Sequence, residues 1–482
     1  MKARYKSIII LVVALFVNPV IGLPQNAFDA LRLSKQNPGH DAAGLSLPGM
    51  GITHIKGLGS IVENPASAAL LQESTFSMGA GLRRISESTD FAGSNDDIDE
   101  NKAQVADFSL AYKWPTSRGS FVIGGGFNQT MDFNRAVSVD AFNSRNTITD
   151  MFNQSSFYGD AAFNAFAIDS VGSGTRSVLR MGPFDGITQK AEIIQSGRMG
   201  EITGFAAAEI QKDLFLGVSL GAITGSYSFS QVFREIDSRN FYDGTRGTFD
   251  FNDMISEDEI EADISGFNGR IGAIYKASPF FNVGASYRIR TKLTVKEEFS
   301  TRINTQFDNG DIFEDDFEGI TNYKVTIPSR WQVGFSFKDI KNVTIAGGVE
   351  RVNHSQIEMS SLADERLELS ENEFIEEEFK DIWNYKASAL YKINPNTEVR
   401  FGYAYNPSAR KSFDGDRQFF SGGLGIQVSP NVTLDLGLQY TIWDDQTVLY
   451  QFFPQNSTQP TSEITKESVT KINALAGLRF KF

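Results

Sequence analysis

Apolar and polar side chains alternate with a period of two along many short stretches of this chain. In NVTLDLGLQY (431–440), the apolar face carries Val432, Leu434, Leu436, Leu438 and Tyr440, and the other face carries Thr433, Asp435, Gly437 and Gln439. The stretches FFNVGASYRIR (280–290), RWQVGFSF (330–337) and EVRFGYAY (398–405) follow the same pattern, with small or polar residues on the second face. Such alternation predicts β-strands with two different environments. A soluble sandwich also alternates, so one strand alone does not decide between the two classes.

The number and spacing of these stretches predict a barrel. We expect strands near 75–86, 103–114, 119–132, 199–211, 214–233, 261–276, 280–299, 320–338, 342–358, 380–392, 396–406, 415–429, 431–451 and 465–482. Short turns, such as 211–213, 278–279, 394–396 and 429–431, alternate with longer polar loops. An even strand count with short turns on one side is typical of outer-membrane barrels. The predicted fold class is therefore all-β, a transmembrane antiparallel β-barrel of 14 strands.

The last segment, KINALAGLRFKF (471–482), alternates in the same way and finishes on Phe482. A terminal strand of this kind is similar to the targeting signature of bacterial outer-membrane barrels. An ordinary amphipathic strand is the alternative interpretation.

Composition points to an exported protein. Residues 1–22 combine a basic start with an apolar stretch too short to span a bilayer, which is typical of a signal peptide. The 482 residues contain no cysteine and three histidines, and the formal net charge is −14. This composition argues against nucleic acid as a partner and against the usual imidazole or thiolate metal sites. We therefore predict no cofactor and no metal site.

Three polar stretches are rich in carboxylates, at 86–101, 308–319 and 362–381, and we expect them to be exterior loops. Clustered carboxylates can hold divalent cations, but such stretches are more often simply solvated. At an outer surface they would meet cation-bridged lipopolysaccharide.

The longest predicted loop, 133–198, is unusual because it carries aromatic residues, among them Phe152, Phe157, Phe163 and Phe166. Apolar side chains in an exposed loop invite an explanation. They would form either a landing surface for an apolar ligand or a core that the loop buries on itself.

A short helix is predicted just before the first strand, where Asn64 is suited to cap it and Pro65 to begin it, followed by Ala66. Together with the signal peptide and fourteen strands, this Asn-Pro-Ala sequence resembles the FadL/TodX family of outer-membrane transporters for hydrophobic compounds. Segments 327–355 and 397–440 and the closing strand carry the resemblance further, although Ala409 stands where the family often has a second proline.

The resemblance implies three parts: a signal peptide (1–22), an N-terminal hatch inside the lumen (23–74) and the barrel (75–482). Asn64, Pro65 and Ala66 would belong to the hatch. The family releases ligand sideways at a kinked third strand, which here contains Gly124, Gly125 and Gly126. Glycine permits bends and leaves space in a wall, so these residues are the predicted kink.

A fatty-acid carboxylate in the lumen would need a cation or several donors. Alternation places Arg270, Arg288 and Arg400 on the polar face, so they are predicted ligand contacts, although pairing with lumen acids such as Glu350 or Asp435 is the alternative.

The predicted function is passive, ligand-gated uptake of hydrophobic molecules with lateral release, long-chain fatty acids first and aromatic hydrocarbons second. We expect a monomer in contact with outer-membrane lipid and lipopolysaccharide. The competing interpretations are a non-specific porin, a barrel partner of a secretion or assembly machinery, and an outer-membrane enzyme. His354 and Ser355 point to opposite faces by alternation, which disfavours a hydrolase dyad, so the chain is predicted not to be an enzyme.

Overall fold

A computed structural model describes residues 26–454, 457 and 459–482 and shows a closed barrel of fourteen antiparallel strands. Each strand pairs with its sequence neighbours, and β1 also pairs with β14, which closes the sheet. The predicted fold class is confirmed. The predicted signal peptide lies outside the described residues.

Several strands are interrupted and continue after a short break. The barrel consists of β1 (Thr75–Phe91), β2 (Ser94–Trp114), β3 (Phe121–Asp132 and Arg135–Asn143), β4 (Ile187–Gln211), β5 (Leu214–Ile236), β6 (Phe251–Ser278), β7 (Phe281–Arg288 and Thr291–Phe307), β8 (Ile312–Ile327 and Arg330–Ile340), β9 (Val343–Asn353 and Glu358–Ser360), β10 (Asp381–Asn394), β11 (Thr397–Asn406), β12 (Arg417–Ser429), β13 (Val432–Asp445) and β14 (Lys466–Lys481).

The remaining elements are short. The α-helices are α1 (Ala27–Ser34), α2 (Ala42–Ser46), α3 (Ser60–Glu63), α4 (Thr149–Phe152), α5 (Gly159–Asn164) and α6 (Glu365–Glu378). The 3₁₀ turns are Met50–Ile52, Pro65–Leu70, Val178–Arg180 and His354–Gln356. Two small hairpins, Ile168–Val171 with Gly174–Ser177 and Val448–Phe452 with Thr461–Ile464, lie outside the barrel sheet. No helix in the described part of the chain is both long enough and apolar enough to cross a membrane.

The predicted loops were wrong in extent, because several continue the strands. The stretch 86–101 is a hairpin extension of β1 and β2, and 308–319 lies mostly in β8. The stretch 362–381 contains α6, and the predicted loop 133–198 includes the upper parts of β3 and β4. Polar composition suggested loops here, but paired strands that face water on both sides are also polar.

The outward faces of the strands change from apolar to polar at one level. On β6 the exposed residues run from Tyr275 through Ile271 to Phe267, and Asp263, Glu261 and the next acids follow. On β7 the exposed Val283 and Ile289 give way to Lys292, Lys296 and Glu298. The apolar band is the lipid-facing surface. The barrel above it, on the side of the long connections, projects into water.

Residues 39–72 lie in the lumen at the level of this band. They contact the inner faces of strands around the barrel, and the inward glycines of the wall leave room for them. A Cβ at Gly217 would overlap the backbone of Ala66, and one at Gly272 would overlap the side chain of Asn64. Other glycines that contact this segment are Gly284, Gly334, Gly348, Gly402, Gly423 and Gly437. The N-terminal segment is thus fitted to the wall.

The pairing of β3 changes beyond the predicted glycines. Gly124–Gly126 pair continuously with both β2 and β4, and a Cβ at Gly124 would overlap Leu110 O and the Phe205 ring. The β2–β3 ladder stops at the pair Asp107 and Asn128, and the β3–β4 register shifts between Gln129 and Met131. The glycines allow close packing of the wall, and a kink at Gly124–Gly126 stays a prediction.

Candidate functional site

A cavity of about 840 Å³ lies above the level of the lipid band, between α1 and the inner wall. Its walls are largely apolar, and the volume is in the range of sites for small organic ligands. Apolar lining residues include Leu31, Met131, Phe133, Ile148, Met151, Phe152, Ile193, Phe229, Ile260, Ile264, Val295 and Leu449.

Helix α1 forms one side of this cavity and is held there at its start. Asn26 caps it, since its side-chain oxygen accepts the Asp29 N–H at 3.0 Å. The buried Glu371 of α6 accepts the Ala27 N–H at 2.7 Å, and burial raises the pKa of Glu371 to about 7. The Phe28 ring packs edge-on against Phe374 of the same helix. The long connection before β10 thereby fixes the N-terminal segment at the mouth of the lumen.

Two cations near the end of α1 form no ion pair with a carboxylate among the described residues. Lys35 follows the helix, and no hydrogen bond or ion pair joins its ammonium to another described residue. Arg417 of β12 lies over the Trp443 ring, with its guanidinium carbon 4.5 Å from the centroid, and makes no ion pair within the described residues. Burial, with the nearby Arg417 charge, lowers the pKa of Lys35 to about 7. Both residues also line a second cavity of about 50 Å³.

The neighbouring acids are already engaged by other cations. Arg135 of β3 binds Glu87 at 2.5 Å, Asp445 at 2.7 Å and Glu467 at 2.7 Å. The buried Asp132 is bound by Lys471 and Arg83. When Lys35 is protonated, this group of charges has five cations, counting Lys35 and Arg417, against four carboxylates. One positive charge is left at the cavity wall, where an anion is the natural complement.

The predicted arginines lie elsewhere, and two of them are occupied. Arg270 makes a two-point contact with Glu201, at 2.5 and 2.7 Å. Arg400 is fully buried and binds Glu398 at 2.7 Å and Asp435 at 2.6 Å. None of the predicted arginines lines the large cavity. Arg270 and Arg400 pair with wall acids, which is the alternative that the sequence left open, and a ligand role for either stays a prediction.

Arg288 differs from the other two. It lies opposite Arg270 and Arg330 on the neighbouring strands and is 4 % exposed. Its Nε and Nη2 atoms have no hydrogen-bond partner among the described residues. A ligand role for Arg288 stays a prediction.

The aromatic residues of the long loop are mostly buried. Phe152 is fully buried and lines the cavity. The Phe157 ring packs 4.8 Å from Phe317, and the Phe166 ring 5.2 Å from Phe249. Phe163 is 43 % exposed. Of the four rings, one is therefore buried, two are partly buried against the extended strands and one is exposed, and a landing surface formed by them stays a prediction.

Sequence reasoning missed Lys35 and Arg417. Lys35 lies on the N-terminal segment, where no strand alternation assigns a face. Arg417 falls in a predicted strand, but its alternation resembles that of the occupied arginines. One signal was present in the sequence: Arg417 is the charged residue at the start of a well-patterned strand.

Comparisons with known proteins agree with this architecture. The model of the family described as outer membrane protein transport protein (OMPP1/FadL/TodX) matches residues 195–481. No curated protein matches the chain significantly. Among solved structures, a Pseudomonas aeruginosa FadL homologue is similar with a TM-score of 0.59 at 12 % identity, covering 93 % of this chain and 99 % of the homologue.

Two further structures share the fold. The Pseudomonas putida toluene transporter TodX has a TM-score of 0.55 at 13 % identity, covering 92 % of this chain and 99 % of TodX. The monoaromatic hydrocarbon channel CymD has a TM-score of 0.52 at 15 % identity, covering 92 % of this chain and 98 % of CymD. The family match spans more than half of the chain, and the fold agrees with it. This protein belongs to the OMPP1/FadL/TodX family of outer-membrane transporters for hydrophobic compounds.

Proposed function

We propose that this protein takes up long-chain fatty acids across the outer membrane by passive diffusion, with the acid bound in the large cavity before lateral release. The observation that carries the proposal is the pair Lys35 and Arg417, which line an apolar cavity and form no ion pair with a carboxylate in the described part of the chain. A neutral aromatic hydrocarbon needs no such cation. A fatty acid needs both an apolar wall and a counter-charge for its carboxylate.

The 39–72 segment is the hatch of this proposal, because it occupies the lumen at the level of the lipid band. The cavity lies on the outer side of that segment, so a ligand would reach it from outside. We further propose that the channel is a monomer and that the polar surface above the lipid band contacts lipopolysaccharide.

The experiment measures binding of stearate and of stearyl alcohol to the purified full chain in detergent. K35A and R417A are expected to weaken stearate binding about tenfold or more each, because a charge-assisted contact to a carboxylate is worth about 1.5–3 kcal/mol. Binding of the alcohol, which has no charge, should change less than about twofold.

R351A is the matched control, since Arg351 lies on the exposed surface and pairs with Asp381. It should leave stearate binding unchanged. Equal binding of acid and alcohol in every variant would contradict the fatty-acid proposal and favour a neutral hydrocarbon as ligand.

A further inference from the structure

A buried carboxyl group lines the same cavity away from the two cations. Glu297 of β7 is 3 % exposed, and its Oε2 accepts a hydrogen bond from the Tyr323 hydroxyl at 3.1 Å. Its Oε1 has no hydrogen-bond partner within the part of the chain that is described. A buried carboxyl oxygen without a partner is costly, so Glu297 is half-satisfied in the unliganded protein.

No cation of the described residues forms an ion pair with Glu297. The nearest one, Arg32 of α1, pairs with Asp29 at 2.8 Å and lies over the Tyr227 ring, 4.5 Å from its centroid. Glu297 lies above the lipid band, where the outer face of β7 is polar. Burial, and then the Asp29 charge, raise the pKa of Glu297 to about 8. The group therefore carries a proton at neutral pH and loses it only in mildly alkaline solution.

Glu297 and the cation pair contact different parts of the α1 region. Of the two α1 residues that interact electrostatically with Glu297, Asp29 has the larger effect and lies in the first turn, and Arg32 lies in the last turn; Lys35 follows the end of the helix beside Arg417. The helix rise places Asp29 and Lys35 about 9 Å apart along the axis. A ligand bound by the cations at its carboxylate would therefore meet Glu297 well along its chain.

We propose that the preferred ligand is a fatty acid with a hydroxyl group in the middle of its acyl chain, and that Glu297 binds this hydroxyl. A hydroxyl both donates and accepts, so it can bond the neutral as well as the ionised carboxyl group. A second carboxylate on the ligand would be repelled by the ionised form of Glu297. This inference rests on the proposed fatty-acid function and adds to it the class of acid and the residue that selects it.

The test compares three probes on the purified full chain at neutral pH: stearate, a mid-chain hydroxystearate and α-hydroxystearate, whose hydroxyl lies beside the carboxylate. Wild-type protein is expected to bind the mid-chain hydroxy acid about tenfold more tightly than stearate, and α-hydroxystearate about as weakly as stearate. E297L should abolish the preference for the mid-chain hydroxyl, so that the mid-chain hydroxy acid and stearate bind this variant with equal affinity.

Two further variants keep the test decisive. E298L, at the next residue on the exposed outer face, should retain the preference. Y323F removes the hydroxyl that donates to Glu297 Oε2, and it should leave the preference intact or increase it. Heat-modifiable migration on gels shows whether the barrel of each variant is folded. If stearate binds but the mid-chain hydroxyl gives no advantage, or if E297L keeps that advantage, the inference is overturned and the proposed function stands. If neither acid binds, the proposed function itself fails.

Discussion

Asn64 connects the N-terminal segment to the barrel wall through both ends of its amide. Its Nδ2 donates to Ile52 O at 2.7 Å and to the wall carbonyls of Ala273 and Ala285 at 3.2 and 3.3 Å. Its Oδ1 accepts the Ala66 N–H at 3.0 Å, which is the helix cap that the sequence predicted. One fully buried side chain thus both begins the turn Pro65–Leu70 and attaches it to β6 and β7.

A single substitution at a wall glycine tests how closely the N-terminal segment packs against the barrel. G217A is expected to loosen the N-terminal segment, because its Cβ would overlap backbone atoms of Pro65 and Ala66, at a cost of about 1–3 kcal/mol. Trypsin cleavage after Lys56 measures this loosening, and it should be faster than in the wild type.

G204A is the matched control, since nothing lies within 4 Å of a Cβ at Gly204 on the adjacent strand. Its cleavage rate should equal that of the wild type. Equal protection of G217A would show that the segment does not lie against this part of the wall.

Among the elements, β3 is the strand that leaves the regular ladder. Its lower part pairs on both sides, but after Asn128 it pairs only with β4, while β2 continues upward paired only with β1. The backbone ladder between β2 and β3 therefore ends at the upper part of the lipid band, where Val105 and Leu82 still face outward, and we call this interruption of the ladder the split. In the proposed function, this split is the lateral exit.

Closing the split should stop transport without stopping binding. Cysteines at Val105 and Gln129, joined by a bifunctional thiol reagent, are expected to reduce fatty-acid uptake by cells at least tenfold, while the purified protein still binds stearate. The natural chain has no cysteine, so the reagent reacts only with the engineered pair.

A second pair, Lys113→Cys with Val122→Cys, lies where β2 and β3 are already joined by the ladder. Cross-linking this pair should leave uptake unchanged. Normal uptake after cross-linking of the first pair would exclude the split as the exit.

In the whole molecule, three levels are stacked along the barrel axis: the short turns, the lipid band filled by residues 39–72, and the projecting upper barrel with the cavity. This arrangement predicts a closed resting pore. Deletion of residues 26–72 is expected to convert a protein with little conductance in planar bilayers into one with large, steady single-channel conductance.

The K35A variant, which retains the segment, should conduct as little as the wild type. Low conductance in the deletion variant, with the barrel folded by heat-modifiable migration, would show that another part of the chain blocks the lumen.

The sequence by itself determined the strand number, the closed antiparallel barrel and the capped turn at Asn64, because alternation and capping depend on near neighbours along the chain. It did not determine which lumen cations are free. Arg270, Arg400 and Arg417 have the same local pattern, but Arg270 and Arg400 meet acids on other strands, and Arg417 meets only the Trp443 ring among the described residues.

Only the tertiary structure decided these pairings, because they depend on barrel register and on where the N-terminal segment lies. The same holds for the end of the β2–β3 ladder at Asn128, since it depends on where β2 stops pairing. It also holds for Glu297, whose free oxygen results from the packing of α1 against β7.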